Sequence, residues 1–133
     1  IKFNIVKGVL EGRTIVVVDD SIVRGTTSKQ LVHLLREGNP KSIHLRISSP
    51  PIMHPCFYGM DFPSSQELIA FQKNGNIEEI KKYLEVDSLE YLTIDELLEA
   101  VSEAGKDNFC TACFSGRYPT NVDTNFKKEM YEV

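Results

Sequence analysis

The stretch IVVVDDSIVRGTT, Ile15 to Thr27, sets four apolar β-branched residues directly before two adjacent acids and a Gly-Thr-Thr turn. An apolar run of this length predicts a short strand buried on both faces, as in the centre of a parallel sheet. Adjacent carboxylates repel each other, so stability alone does not ask for Asp19 and Asp20. In an open α/β sheet, ligands sit beyond the carboxyl ends of the strands, which is where these acids fall.

The residues after the stretch extend the pattern. In GTTSKQLVHLLREGNP, Leu31, Leu34 and Leu35 recur at helical spacing, and Thr26, Thr27 and Ser28 are candidate caps. Gly38, Asn39 and Pro40 stop that helix. SIHLRISSPP then alternates Ile43, Leu45 and Ile47 against His44 and Arg46, a strand ended by Pro50 and Pro51. Strand, helix, strand is a βαβ unit, and such units build parallel sheets. Further on, three helix starts carry capping-box spacing: Ser64 with Glu67, Asn76 with Glu79, and Thr93 with Glu96.

Composition bounds what the chain does. Its 133 residues are about one domain's worth, and 41% hydrophobic with 26% charged is ordinary for a globular protein. The formal charge of -4 gives nucleic-acid binding no electrostatic support. No apolar run approaches the roughly 20 residues of a membrane span, and no signal peptide is visible. An odd count of 3 cysteines, two of them in CTAC, argues against a disulfide framework and for a cytoplasmic, reducing setting. The chain opens with Ile1 and strand-like sequence, which reads as part of something longer.

Free amides at the start of the predicted helix, Gly25 for close backbone approach, and the hydroxyls of Thr26, Thr27 and Ser28 favour an anion. Asp19 and Asp20 would repel a phosphate but accept sugar hydroxyls or hold Mg²⁺. Together they describe a ribose 5-phosphate site. A plain βα turn with Asp and Thr as caps explains the short motif equally well.

The longer pattern is more specific. VVVDDSIVRGTTS resembles the phosphoribosyl-pyrophosphate (PRPP) signature of type I phosphoribosyltransferases. DDSIVRGTTS with ISSPPIMHPCFYGMDFPSSQELIA and CTACFSGRYPT resembles the glutamine PRPP amidotransferase family. The resemblance implies an α/β chain, part of a Rossmann-like phosphoribosyltransferase domain in residues 1–60, with a mostly helical, CxxC-bearing extension in 61–133. It implies that the parent enzyme transfers glutamine-derived ammonia to C1 of PRPP, giving 5-phosphoribosylamine and pyrophosphate in purine synthesis. Asp19 and Asp20 would meet the ribose or Mg²⁺, and Arg24, Gly25, Thr26, Thr27 and Ser28 the 5-phosphate. The glutaminase domain with its cysteine nucleophile, and the first half of the phosphoribosyltransferase domain, are expected outside this chain. No residue here is therefore expected to be catalytic, and the chain alone is expected to be inactive. Purine nucleotide inhibitors are implied partners, and uncovered sheet faces lead to an expected homo-oligomer.

By spacing alone, C-x-x-C fits a redox pair, a zinc half-site or an iron–sulfur half-site. His54 could complete a zinc set with Cys56, Cys110 and Cys113. One branch of the resembled family carries a [4Fe–4S] cluster on four cysteines. The resemblance implies that Cys56, Cys110 and Cys113 are three of them, the fourth lying outside this chain. Two alternatives stand beside this reading: a non-catalytic PRPP- or nucleotide-sensing module, and a small zinc-binding interaction module. His33 and His44 are read as surface or interface packing.

Overall fold

The computed structural model describes residues 8–62, 64–105 and 108–122. The strand-like opening of the sequence lies largely outside them, and Gly8 to Leu10 form turn and bend. The elements run β1 (Thr14–Asp19), α1 (Thr26–Arg36), β2 (Ser42–Ile47), a 3₁₀ turn (Ser65–Glu67), α2 (Ile69–Gln72) and α3 (Ile77–Leu84). They continue with β3 (Ser88–Tyr91), α4 (Ile94–Ala100), a second 3₁₀ turn (Ser102–Ala104) and α5 (Ala112–Ser115). The predicted βαβ unit is present, and the strands form an α/β open parallel sheet in the order β1-β2-β3. Among the described residues no helix is long and apolar enough to cross a membrane.

Register follows from the period-2 pattern of β2. Ile43, Leu45 and Ile47 are buried, and the last two stand beside Leu89 and Tyr91 of β3. Val32 of α1, Ile80 and Leu84 of α3, and Ile69 and Ala70 of α2 belong to the same core cluster. Each fully buried aliphatic side chain contributes about 1.5–3 kcal/mol, so this cluster carries most of the stability.

The other sheet face is different. β1 was expected at the sheet centre with both faces covered, yet Val16 and Val18 are 60% and 73% exposed. Among the described residues β1 is an edge strand, and its apolar run reports only that one face is packed. Next to the valines the face is polar. His44 bridges the hydroxyls of Ser88 (2.7 Å) and Ser42 (3.1 Å), and Arg46 donates to Ser88 Oγ at 2.9 Å.

Local signals fared unevenly. Thr93 and Glu96 close a full capping box on α4, and the Asn76 side chain accepts from the Glu79 amide at α3. Ser64 makes no side-chain cap, because only a 3₁₀ turn follows it. The segment read as helical also supplies β3, four residues long, in the same sheet.

Candidate functional site

Asp19 ends β1 and Asp20 opens the loop. The Asp20 amide donates to Asp19 Oδ1 at 3.0 Å, and the Ser21 hydroxyl donates to Asp20 Oδ1 at 3.0 Å. On the β2 side, the Ser48 amide donates to the Asp19 carbonyl at 3.0 Å, joining the carboxyl ends of the two strands. Each carboxylate thus spends one oxygen locally, an arrangement that leaves acceptor capacity for a ligand. Ile22 anchors the middle of the loop in the core, and the Val23 carbonyl accepts from the Ile69 amide at 2.9 Å. A loop stitched at both points has little freedom to collapse onto its own amides.

The start of α1 departs from expectation. Its N-cap is Gly25 at φ 77°, and no side chain caps the helix. The hydroxyls of Thr26, Thr27 and Ser28 are therefore not the caps. Thr26 and Thr27 are exposed, whereas Ser28 is 8% exposed and shares the buried face of α1 with Val32. No acid lies in the first turn, so the first amides and the positive end of the helix dipole stand open to an anion. Gly25 is fixed by two constraints. Its φ belongs to the left-handed region, and an added Cβ would lie 3.1 Å from the Tyr83 ring.

Arg24 is engaged elsewhere: its Nε donates to Glu67 at 3.2 Å. Sequence spacing assigns Glu67 to a capping box with Ser64; in the structure it pairs with Arg24 instead, and pattern reading does not see a partner 43 positions away. Tyr83, beneath Gly25, was missed in the same way. Lys29 rests on that ring, 4.6 Å from its centroid.

The cysteines form a second centre. Cys56 and Cys113 are half-buried and Cys110 is exposed, all as free thiols. Burial, and then the nearby Cys56 thiol, push the Cys113 thiol up to about 11; Cys110 adds a smaller push, and the amides of Cys113 and Phe114 oppose. Burial, then Cys113 and Cys56, likewise raise Tyr118 above the ordinary phenol value. The thiols thus feel one another across two distant stretches of sequence. The Tyr58 amide donates to Cys56 Sγ at 3.4 Å. Among the described residues, however, no three His, Cys, Asp or Glu side chains stand close enough to hold a single metal ion.

A cleft of about 660 Å³ opens beside β3, walled by Pro50, Met53, Ile77, Leu89, Tyr91 and Phe114. It is apolar and contains none of the loop residues from Asp19 to Ser28, so it is not where the acids and amides point. Burial raises Tyr91, whose hydroxyl has no hydrogen-bond partner among the described residues.

The comparisons with known proteins agree with this geometry. No family model matches the chain. The chain is 50% identical to the amidophosphoribosyltransferase of Synechococcus elongatus over 127 residues, 96% of this chain and 25% of that protein. It is 46% identical to the amidophosphoribosyltransferase of Bacillus subtilis over 124 residues, 91% of this chain and 26% of that protein. The solved structure of B. subtilis glutamine PRPP amidotransferase, complexed with ADP and GMP, superposes with a TM-score of 0.80. That match, at 46% identity, covers 90% of this chain and 27% of the other. Sequence and fold together show that over most of its length the chain is homologous to amidophosphoribosyltransferases, and it spans about a quarter of the length of the curated relatives it matches.

Proposed function

We propose that this chain is the PRPP-binding part of an amidophosphoribosyltransferase. The parent enzyme transfers ammonia from glutamine to C1 of PRPP, releasing pyrophosphate and forming 5-phosphoribosylamine for purine synthesis. The observation that carries the reading is the uncapped, acid-free start of α1 behind Gly25, set directly after Asp19 and Asp20. The amides of Gly25 to Ser28, with the Thr26 and Thr27 hydroxyls, bind the 5-phosphate; the carboxylates accept the ribose hydroxyls. Arg24 acts from outside this cradle, holding the 3₁₀ turn through Glu67. Fixing the sugar at both ends orients C1 for attack, and positioning of this kind supplies much of the rate in such displacements. No residue of this chain is assigned the release of ammonia from glutamine.

The oxygen-rich pair also suits Mg²⁺, because each carboxylate keeps an oxygen without a partner among the described residues. When bound there, the ion neutralises charge on the pyrophosphate. Purine nucleotides fit the same cradle, since they carry a 5-phosphoribosyl group. The related B. subtilis structure is itself complexed with two nucleotides, ADP and GMP, which favours regulation through this pocket as the second reading.

The thiols suit a [4Fe–4S] cluster, with Cys56, Cys110 and Cys113 as three ligands and the fourth from outside the chain. A tetrahedral zinc ion draws its ligands to about 2.0–2.3 Å, which a set not converging on one point fits poorly. Soft sulfur donors on two segments that run side by side suit a wider, multi-iron group, which would tie those segments together when bound. Free thiols also suit a reducing compartment such as the cytoplasm. Exposed Val16 and Val18 on an edge strand support a homo-oligomer, and Val18→Lys should lower the molar mass seen by light scattering.

A ¹H–¹⁵N titration with Mg²⁺–PRPP tests the main reading. Shifts centred on Asp19 to Ser28, and weakened in Asp19→Asn, are expected. Saturable binding whose shifts lie elsewhere, or no shifts in the folded chain, would overturn it.

A further inference from the structure

We propose that Tyr118 is the positioning residue of the thiol site, a latch that holds Cys56 against the segment carrying Cys110 and Cys113 before any metal binds. The purpose of that gathering rests on the cluster reading above; the gathering itself does not.

Two stretches far apart in sequence run side by side here. The Cys113 carbonyl accepts from the amides of Met53 at 2.9 Å and His54 at 3.0 Å. Beyond Cys56, the Tyr58 hydroxyl meets Thr120 Oγ1 at 2.9 Å and accepts from the Thr120 amide at 3.3 Å. Tyr118 closes the gap between these two ties. Its hydroxyl donates to the Pro55 carbonyl at 2.7 Å, one residue before Cys56. Its ring stands edge-on to Phe57 at 5.1 Å and tilted against Tyr58 at 6.3 Å, gripping the residues that follow Cys56.

Cys56 is therefore flanked on both sides by contacts from one side chain. The Tyr58 amide then aims its sulfur. Such outer contacts fix ligand geometry, so a metal or cluster finds the thiols already gathered. None of these contacts needs a metal to form.

The reduced, metal-free chain of 133 residues tests the latch with dibromobimane, which fluoresces once two neighbouring thiolates have each displaced a bromide. Peptide mapping separates bridges that include Cys56 from the local Cys110–Cys113 bridge. Wild type should form both kinds. In Tyr118→Leu the Cys56 bridges should form at least about tenfold more slowly, because proximity sets the effective concentration of the second thiol. The Cys110–Cys113 bridge should not change, which serves as the internal control. Tyr118→Phe keeps the ring and loses one hydrogen bond, so about a threefold slowing is expected; this variant decides the matter if Tyr118→Leu fails to fold by circular dichroism.

Cys56 bridging at the wild-type rate in the variants would overturn the latch, as would wild type forming only the Cys110–Cys113 bridge. Iron and sulfide analysis of the anaerobically reconstituted full-length parent, which supplies the fourth ligand, reports separately on the cluster. A parent that holds no cluster, beside a chain that shows the expected bridging pattern, removes the cluster reading and leaves the latch standing.

Discussion

The two candidate centres are built in opposite ways. The loop from Asp19 to Ser28 presents backbone amides and short side chains, and the main core holds it from beneath through Ile22. The thiol region presents side-chain sulfurs held by aromatic rings and backbone bonds; Phe57, Tyr58 and Tyr118 lie outside that core. An anion site made of amides must be rigid, because a sagging loop satisfies its own N–H groups. A site for soft ligands needs only that the sulfurs meet. The loop should therefore fail together with the fold, and the thiol region separately from it.

The largest expected effect tests the first half of that contrast. Ile22→Ala empties a site that is 2% exposed, and should cost about 2–5 kcal/mol in urea unfolding. Phosphate-loop shifts should vanish with it. Phe57→Ala, on the thiol side, should cost well under that, since Phe57 is only half-buried. Equal losses from the two substitutions would break the contrast.

A matched pair of glycines sharpens it. Gly25 at φ 77° and Gly116 at φ 73° each favour glycine over a side chain by about 1–2 kcal/mol. Gly25→Ala adds a Cβ 3.1 Å from Tyr83 and should abolish shifts at Thr26 and Thr27 on titration with PRPP. Gly116→Ala adds one 2.9 Å from the His54 ring, in the stretch that ties to Cys113. It should speed alkylation of Cys113 by iodoacetamide about tenfold as the two segments loosen. Similar stability losses with these two different readouts would show that the centres are independent. Crossed effects would show that they are one unit.

How much of this was legible follows from the range of each interaction. β1, α1 and β2 announce themselves because period and turn chemistry are local, and Thr93 with Glu96 is a contact three residues apart. The acids and Gly25 were legible for the same reason: each does its work at its own place in the chain. What stayed hidden depends on tertiary pairing. Arg24 meets Glu67, and Tyr118 meets Pro55 across 63 positions, with no periodicity to mark either. β3 alternates correctly through Ser88, Leu89, Glu90 and Tyr91, but four residues between two helices give too short a pattern to register. The misreading of β1 has a physical cause as well. Consecutive valines fit a strand covered on both faces, and no local feature tells whether a second layer is there to cover them.

The smallest effect comes from a third place, the end of the sheet opposite the phosphate loop. Asp87 Oδ2 accepts from the Ile43 amide at 2.7 Å and from Arg36 at 2.8 Å. The amide, more than the guanidinium, holds the Asp87 carboxyl below its ordinary 3.8, against the push from burial; His44 adds the smallest pull. A carboxylate depressed on folding adds stability that is fully present above the unfolded value and is lost as pH falls through the folded one. Asp87 is substantially exposed, so solvent limits the gain to about 1 kcal/mol or less. Wild type should therefore exceed Asp87→Asn in stability at pH 7, and the two should converge below pH 3.8. Asp87 touches neither centre. Asp87→Asn at pH 7 should thus leave both the loop titration and the Cys56 bridging rate at their wild-type values. A change in either would mean that the clasp at the start of β2 is transmitted along the strand to Ile47 and the loop beside it.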